Sequence, residues 1–176
     1  MNGVFIGGQW VPGSAGEFDV ENPADRTVID QVADGGPVEA TAAVDAAAAA
    51  LPAWSAMPPR QRSEILRRTY ELMVRDTEDL AVMISAENGK SLSDARGEVT
   101  YAAEFFRWFA EEGVRTGGDY GVSPAGGTRT VVTHKPVGVA ALVTPWNFPA
   151  AMATRKIARR WLPVAPSCSS LPRRRR

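Results

Sequence analysis

The 176-residue chain is 44% hydrophobic, 23% charged and 8% aromatic, as expected for a globular protein with a core. Its 20 basic and 20 acidic side chains balance, which argues against nucleic acid or an anionic membrane as a partner. The single cysteine, the absence of a membrane-length apolar run and the absence of a signal-like start favour a cytoplasmic location.

Short strands are predicted near the beginning of the chain. Residues 5–11 read as a strand with a glycine turn or bulge, and residues 18–20 are expected to pair back on it as a hairpin. Asn22-Pro23 breaks the chain, and residues 27–32 could form another short strand.

Two helices are predicted next, and prolines mark their limits. The first begins at Pro37 and carries one apolar face, and Pro52 is expected to end it. The dipeptide Pro58-Pro59 opens the second helix.

Two further helices follow. Asp76 or Thr77 is expected to cap the third, which closes at Asn88-Gly89. Ser91 and Asp94 resemble a capping box for the fourth, which is expected to end at Gly117-Gly118. This fourth helix carries an aromatic stripe, for which packing in a core or a subunit interface is favoured over a stacking site. The stripe consists of Phe105, Phe106, Trp108 and Phe109, widened by Tyr101.

A loop then leads into a β-rich run over residues 128–135, which Pro136 interrupts. The only histidine, His134, lies in this run without a nucleophile or metal-ligand constellation around it, so a structural role is expected. Residues 138–143 are continuously apolar, which is typical of a strand buried on both faces of a parallel sheet. An α/β domain is therefore expected to begin here.

The segment Thr144–Pro149 follows that strand directly. Ligands of open α/β sheets bind beyond the carboxyl ends of the strands, and two prolines stiffen this loop. Asn147 offers a rigidly held amide, which could stabilise an oxyanion or could merely cap the following helix. Spacing alone does not separate these two interpretations.

The hexapeptide Thr-Pro-Trp-Asn-Phe-Pro resembles a signature of the aldehyde dehydrogenase superfamily. Earlier motifs in the same order support this resemblance, which covers residues 5–158; they are Phe-Ile-Gly-Gly-Gln-Trp-Val, Glu-Asn-Pro-Ala, Glu-Asn-Gly-Lys-Ser and His-Lys-Pro-Val-Gly-Val. The resemblance implies an α/β fold: the N-terminal part of the aldehyde dehydrogenase fold, with N-terminal helices and small strands, the first part of a Rossmann-like parallel sheet and one oligomerisation-type strand.

That fold predicts four regions. Residues 1–127 form N-terminal strands and the helical part of the cofactor-binding domain, and 128–136 form the oligomerisation-type strand. Residues 137–158 begin the dinucleotide-binding sheet, and 159–176 form an aberrant tail that is expected to be disordered because its prolines oppose helix and strand.

The resemblance also implies a chemistry: a cysteine thiolate attacks an aldehyde, hydride passes to NADP or NAD, and a glutamate-activated water releases the acid. Asn147 matches the catalytic oxyanion-hole asparagine. The cofactor-binding segment would comprise Val143, Thr144, Pro145, Trp146 and Asn147. No metal is implied.

The run Ala-Ala-Met-Ala-Thr-Arg-Lys at residues 150–156 resembles the succinate-semialdehyde branch of that family. There the arginine matching Arg155 binds the substrate's distal carboxylate, for which a guanidinium is well suited. The alternative is a surface arginine on a basic helix. Arg155 lies eight residues after Asn147, about two helical turns, so both could project from the same side.

The tail departs from the family sequence, which would continue Pro-Ala-Leu-Ala-Ala-Gly-Cys-Thr-Val-Val-Leu-Lys-Pro-Ala-Ala-Glu-Thr. A coding sequence chosen for that text translates, after deletion of one C at its start, to Arg159 through Arg174 without a mismatch. A frame shift is therefore hypothesised. On that interpretation Cys168 is not the nucleophile, and the terminal arginines are a by-product rather than a nucleic-acid arm.

Two functional hypotheses follow. The first is an inactive fragment of an NAD(P)-dependent dehydrogenase that oxidises succinic semialdehyde, or another aldehyde, to the acid. The second is a non-catalytic module that joins full-length subunits through the 128–136 strand. A small-molecule aldehyde and a homo-oligomeric assembly are the expected partners, with neither nucleic acid nor membrane.

Overall fold

The computed structural model describes residues 3–161 and the backbone of residues 167–170. The chain begins with a hairpin, in which β1 (Val4–Ile6) pairs antiparallel with β2 (Gln9–Val11). Gly7 and Gly8 form its turn with positive φ angles of 59° and 87°, which glycine adopts without a Cβ penalty. The predicted single strand with a glycine turn is therefore two strands.

A second hairpin pairs β3 (Glu17–Glu21) with β4 (Val28–Ala33), antiparallel. The prediction that residues 18–20 pair back on the first strand was wrong, because Phe18 lies opposite Val32 instead. The break at Asn22-Pro23 supplies the turn between β3 and β4, where the Asn22 side chain accepts a hydrogen bond from the Ala24 N–H at 2.9 Å.

Helix α1 (Pro37–Ala56) begins at the predicted proline but contains Pro52, so the predicted end there was wrong. Contacts from distant residues hold the last turn. Trp54 packs edge-on against Trp161 with ring centroids 5.6 Å apart, and the Arg62 guanidinium donates to the carbonyl oxygens of Trp54 and Met57. These contacts offset the loss of one helical hydrogen bond at the proline.

Helix α2 (Pro59–Arg75) begins at the predicted Pro58-Pro59. Helix α3 (Thr77–Asn88) has the predicted limits and ends at Gly89, whose φ of 75° is left-handed. Helix α4 (Leu92–Glu112) begins at Ser91, whose hydroxyl accepts a hydrogen bond from the Asp94 N–H at 3.1 Å. The predicted end of α4 at Gly117-Gly118 was wrong, since the helix stops before Gly113.

Helix α4 is central to the core because α2, α3 and α5 (Pro149–Trp161) all pack on it. One buried cluster joins Leu66, Phe106, Ala110 and Ala158, and a second joins Ala81, Ile84, Ala95 and Val99. Within the aromatic stripe, Phe106 is buried whereas Trp108 is 62% exposed. Core packing therefore accounts for only part of the stripe.

Strands β5 (Asp119–Val122) and β6 (Arg129–Val132) form an exposed antiparallel hairpin. The loop predicted before residue 128 was wrong in part, because it contains β5. The predicted oligomerisation-type strand over 128–136 is shorter, because only residues 129–132 pair. His134 lies after β6, and its Nδ1 is 2.6 Å from the carbonyl oxygen of Gly117, which fits the expected structural role.

Strand β7 (Ala140–Val143) pairs in parallel with β8 (Ser167–Ser170), as a parallel sheet requires. The prediction that this segment is buried on both faces was wrong: Leu142 is 6% exposed and Val143 67%. In the described part of the chain, α5 crosses between β7 and β8 and nothing covers the opposite face of β7.

The expected disorder of the whole 159–176 tail was also wrong for two of its parts. Residues 159–161 continue α5, and residues 167–170 form β8 because the open edge of β7 offers backbone hydrogen-bonding groups. Residues 162–166 and 171–176 and the Cys168 side chain lie outside the described part. Among the described helices, none is long and apolar enough to span a membrane.

Candidate active site

The candidate site is the segment Thr144–Phe148, which connects the carboxyl end of β7 to α5. Thr144 anchors its beginning, being only 1% exposed, and its Oγ1 has no hydrogen-bond partner in the described part of the chain. Trp146 is 50% exposed. The segment therefore begins inside the fold and emerges at the surface beyond a parallel strand, where ligands of open α/β sheets bind.

The α3–α4 connection holds the backbone of this segment through two polar side chains. The Asn88 Nδ2 donates to the carbonyl oxygen of Trp146 at 3.1 Å, and the Lys90 Nζ donates to that of Asn147 at 3.2 Å. Lys90 also lies 4.0 Å above the centroid of the Phe148 ring. Two successive carbonyl groups are thus fixed by one neighbouring loop.

Glu98 of α4 holds the other end of the segment. Its side chain is completely buried and pairs with Lys90. Its Oε1 accepts hydrogen bonds from the backbone N–H groups of Ala150 at 2.9 Å and Ala151 at 3.2 Å. A carboxylate at this place also suits the positive end of the α5 dipole.

This arrangement bears on the two interpretations of Asn147. The first amides of α5 are satisfied by Glu98, so Asn147 does not cap the helix. Asn147 is exposed, and its side chain makes no hydrogen bond within the described part of the chain. Its amide is therefore available to a ligand, while its backbone is restrained by Lys90.

Arg155 lies on the surface of α5, where it lines an open groove of about 470 Å³ between α4 and α5. The groove also contains the aromatic side chains Tyr101 and Trp108. Asn147 precedes α5, so the predicted separation of two helical turns between Asn147 and Arg155 was wrong. The helical rise from Pro149 to Arg155 is about 9 Å.

Sequence analysis missed Glu98 altogether and did not give Lys90 a role. The available signal was a glutamate on the apolar stripe of α4, next to the buried Val99. Lys156 was also missed; its Nζ donates to the carbonyl oxygen of Val143 and ties α5 back to β7. Nearby, burial raises the pKa of Glu87, and the charge of Asp30 raises it further.

A family model described as the aldehyde dehydrogenase family matches residues 10–161, which is most of the chain. The chain therefore belongs to the aldehyde dehydrogenase family, and its architecture is the N-terminal part of that fold, as the resemblance predicted.

Its similarity to particular members is substantial. It is 47% identical over 153 residues to the mitochondrial succinate-semialdehyde dehydrogenase of Homo sapiens, covering 87% of this chain and 28% of that protein. It is likewise 47% identical over 154 residues to the NADP(+) succinate-semialdehyde dehydrogenase of Escherichia coli K12, covering 87% of this chain and 32% of that enzyme.

Solved structures give the same result. A succinate-semialdehyde dehydrogenase from Burkholderia pseudomallei superposes with a TM-score of 0.93 at 38% identity, over 97% of this chain and 36% of that one. A betaine aldehyde dehydrogenase from Staphylococcus aureus in complex with NAD+ superposes with a TM-score of 0.90 at 28% identity, over 95% and 34%. The chain thus spans about a third of the length of these relatives.

Proposed function

We propose that this chain supplies the oxyanion donor and the carboxylate-binding arginine of an NAD(P)-dependent succinate-semialdehyde dehydrogenase. The observation that carries the proposal is the restrained Asn147, whose side-chain amide is left without a partner in the described part of the chain at the end of a parallel strand. The names of the two succinate-semialdehyde dehydrogenases to which the chain is 47% identical support the substrate class.

The chemistry assigned to Asn147 is electrostatic. When a cysteine thiolate adds to the aldehyde carbon, negative charge develops on the aldehyde oxygen, and the Asn147 amide donates a hydrogen bond to it. One donor of this kind is worth about 3 kcal/mol of transition-state stabilisation. Because the backbone is already held in place, little reorganisation is required during the reaction.

The segment Val143–Asn147 fits a nicotinamide dinucleotide, which accepts the hydride when bound. Val143 at the end of the strand and Trp146 beyond it present exposed apolar surface, against which a flat ring can pack. The Oγ1 atom of Thr144 is buried and has no hydrogen-bond partner among the described residues. Because such an atom is costly to leave unpaired, a polar group of the bound cofactor is a suitable partner for it. NADP and NAD both suit these features.

Arg155 is assigned to the distal carboxylate of the substrate. In the described part of the chain it has no acidic partner within ion-pair distance, so its guanidinium is free to bind a carboxylate bidentately. The aromatic walls of the groove suit the short aliphatic chain between the carboxylate and the aldehyde. Succinic semialdehyde has this combination of groups.

The 176-residue chain by itself is proposed to be inactive, because hydride transfer requires a positioned nucleophile, a general base and a complete cofactor site. Purified chain mixed with succinic semialdehyde and either NADP+ or NAD+ should give negligible reduced cofactor by absorbance. Turnover close to that of a full-length dehydrogenase would contradict this part of the proposal.

The residue roles are tested in a chimera in which residues 10–158 replace the matching segment of the Escherichia coli enzyme. Asn147→Ala should lower kcat about 10²–10³-fold. Arg155→Met should raise KM for succinic semialdehyde but not for butanal, which lacks the carboxylate. The matched control, Arg60→Met, removes an exposed arginine from α2 and should change neither.

An unchanged kcat in the Asn147 variant would exclude the oxyanion role. An equal change of KM for both aldehydes in the Arg155 variant would exclude the carboxylate role.

The hypothesis of a frame shift before Arg159 is retained as a proposal about the tail. Its support is the agreement of the shifted translation with residues 159–174. Sequencing the gene on both sides of this point tests the hypothesis. A single open reading frame, with no sequence similar to aldehyde dehydrogenases in the alternative frame, would exclude it.

A cytoplasmic location of the protein also stays a prediction.

The second candidate function is a non-catalytic module that associates with full-length subunits. The observation that favours it is the β5–β6 hairpin, where Tyr120, Val122 and Val131 are all more than 60% exposed. Co-purification of tagged chain with a co-expressed full-length dehydrogenase would support this function, and recovery of the chain alone would argue against it.

A further inference from the structure

A buried carboxylate of α4 requires explanation. The Glu98 side chain is 0% exposed and lies next to the buried apolar residues Ala95, Val99 and Ala102. Burial of an isolated carboxylate costs several kcal/mol, so an ionised glutamate is retained in such a place only with good partners. The partners of Glu98 therefore indicate what its burial achieves.

Those partners are the beginning of α5 and Lys90. The first four residues of a helix have no intrahelical acceptor for their N–H groups. In α5 the first of them, Pro149, has no N–H, and the next two, Ala150 and Ala151, donate to Glu98. The N–H of Met152 then makes the first helical bond, to the Phe148 carbonyl at 2.9 Å. Glu98 thus completes the cap of α5 from a different helix.

Lys90 extends this arrangement to the residues before α5. Its side chain is 13% exposed and pairs with Glu98. The same ammonium group donates to the Asn147 carbonyl and lies over the Phe148 ring. A single cation therefore links the carboxylate that starts α5 to the backbone that presents the Asn147 side chain.

We propose that Lys90 and Glu98 are positioning residues that set the direction of the Asn147 amide. The proposal rests on the proposed role of Asn147 and adds the device that aims it. Glu98 fixes where α5 begins, and Lys90 fixes the carbonyl group of Asn147. The peptide group that follows Asn147 and the first N–H groups of α5 are therefore both restrained. A displacement of about 1 Å at such a group is costly for catalysis.

NMR of the ¹⁵N-labelled 176-residue chain tests this geometry without an activity assay. Lys90→Met keeps the length of the side chain and removes its charge. It should shift the Asn147 side-chain NH₂ signals and accelerate exchange of the Ala150 and Ala151 amides about tenfold. Signals of the buried α4 residues Phe106 and Ala110 should not move.

Two conservative variants separate positioning from general stability. Lys90→Arg keeps a cation and should restore the Asn147 signals at least in part. Glu98→Gln keeps an acceptor oxygen but not the charge, so the Ala150 and Ala151 amide protons should move upfield. The matched control is Arg107→Met, which removes the cation of the exposed Arg107–Glu104 pair on the same helix and should leave the Asn147 signals in place.

Several results would overturn the proposal. One is a folded Lys90→Met chain in which the Asn147 side-chain signals are unchanged. Another is a Lys90→Met chain in which signals throughout α4 shift as much as those of Asn147, because that would indicate a purely structural ion pair. If Lys90→Met does not fold, unchanged Ala150 and Ala151 shifts in Glu98→Gln would still exclude it. The oxyanion role of Asn147 is tested separately, by the turnover of the Asn147→Ala chimera. Failure of that role can therefore be distinguished from failure of the positioning role, which is tested by NMR.

Discussion

The hydroxyl of Ser63 donates a hydrogen bond of 2.5 Å to the backbone carbonyl oxygen of Ala110. Ala110 lies in the last turn of α4, where carbonyl groups have no intrahelical donor. Ser63 is 5% exposed, so water does not replace it easily. One side chain of α2 thus supplies a hydrogen-bond donor to a carbonyl group in the last turn of α4, the helix on which α2, α3 and α5 pack.

Removal of this hydroxyl should destabilise the fold. Ser63→Ala leaves a buried carbonyl group without a donor, and the free energy of unfolding should fall by about 1–2 kcal/mol in urea denaturation followed by circular dichroism. The control is Ser93→Ala, which changes an exposed serine of α4 and should have an effect within about 0.5 kcal/mol. Equal stabilities of the two variants would show that the hydrogen bond contributes nothing.

Trp161 should contribute to stability although it lies beyond the predicted boundary at residue 158. Its ring packs on the buried cluster around Leu66 and Phe106 and against Trp54. Trp161→Ala should lower the free energy of unfolding by about 2–3 kcal/mol in the same assay.

The matched control for this variant is Trp108→Ala, because Trp108 is 62% exposed. Its loss should be under about 1 kcal/mol. A Trp161 variant no less stable than the Trp108 variant would show that the last turn of α5 does not belong to the core.

The elements that sequence analysis predicted well are those specified by neighbouring residues. Gly89 and Ser91 mark a helix end and a helix start because a left-handed φ and a capping hydroxyl are local properties. The strand before Thr144 also follows from a short, continuously apolar segment, although its burial on both faces does not. Local chemistry is sufficient in each of these cases.

The elements that could not be predicted depend on partners far along the chain. Pro52 lies inside α1, where the following turn is supported by Trp161, which packs against Trp54 from far along the chain. Glu98 reads as an ordinary helical glutamate until α5, 52 residues later, presents its amides to it. Neither periodicity nor composition contains that information.

Two glycines should respond oppositely to the same substitution. Gly89 has a φ of +75°, and a Cβ there would lie 2.7 Å from the Pro23 Cγ. Gly89→Ala should therefore lower the free energy of unfolding by about 1–2 kcal/mol. Gly97 lies within α4 with open space around it, so Gly97→Ala should raise stability by about 0.5–1 kcal/mol. Changes of the same sign in urea denaturation would contradict this interpretation of the two backbones.

The last prediction concerns pH and the carboxylate of Glu39. A hydrogen bond from the Ser14 hydroxyl at 2.7 Å, followed by one from the Gly36 N–H, lowers the pKa of Glu39. Because the folded-state pKa is below the unfolded value of about 4.3, the folded chain binds this proton less tightly. The stabilisation is complete above the unfolded pKa and is lost as the pH falls through the lowered folded-state pKa.

Glu39→Gln removes that titration, so its stability should fall less steeply than that of the wild type as the pH is lowered through and below about 4.3. Urea midpoints measured across this range give the two slopes. The control, Glu111→Gln, changes an exposed glutamate of α4 and should keep a slope close to that of the wild type. Parallel slopes for the Glu39 variant and the wild type would mean that Ser14 and Gly36 do not favour the ionised carboxylate. The link between the first hairpins and α1 would then depend on packing rather than on this charge.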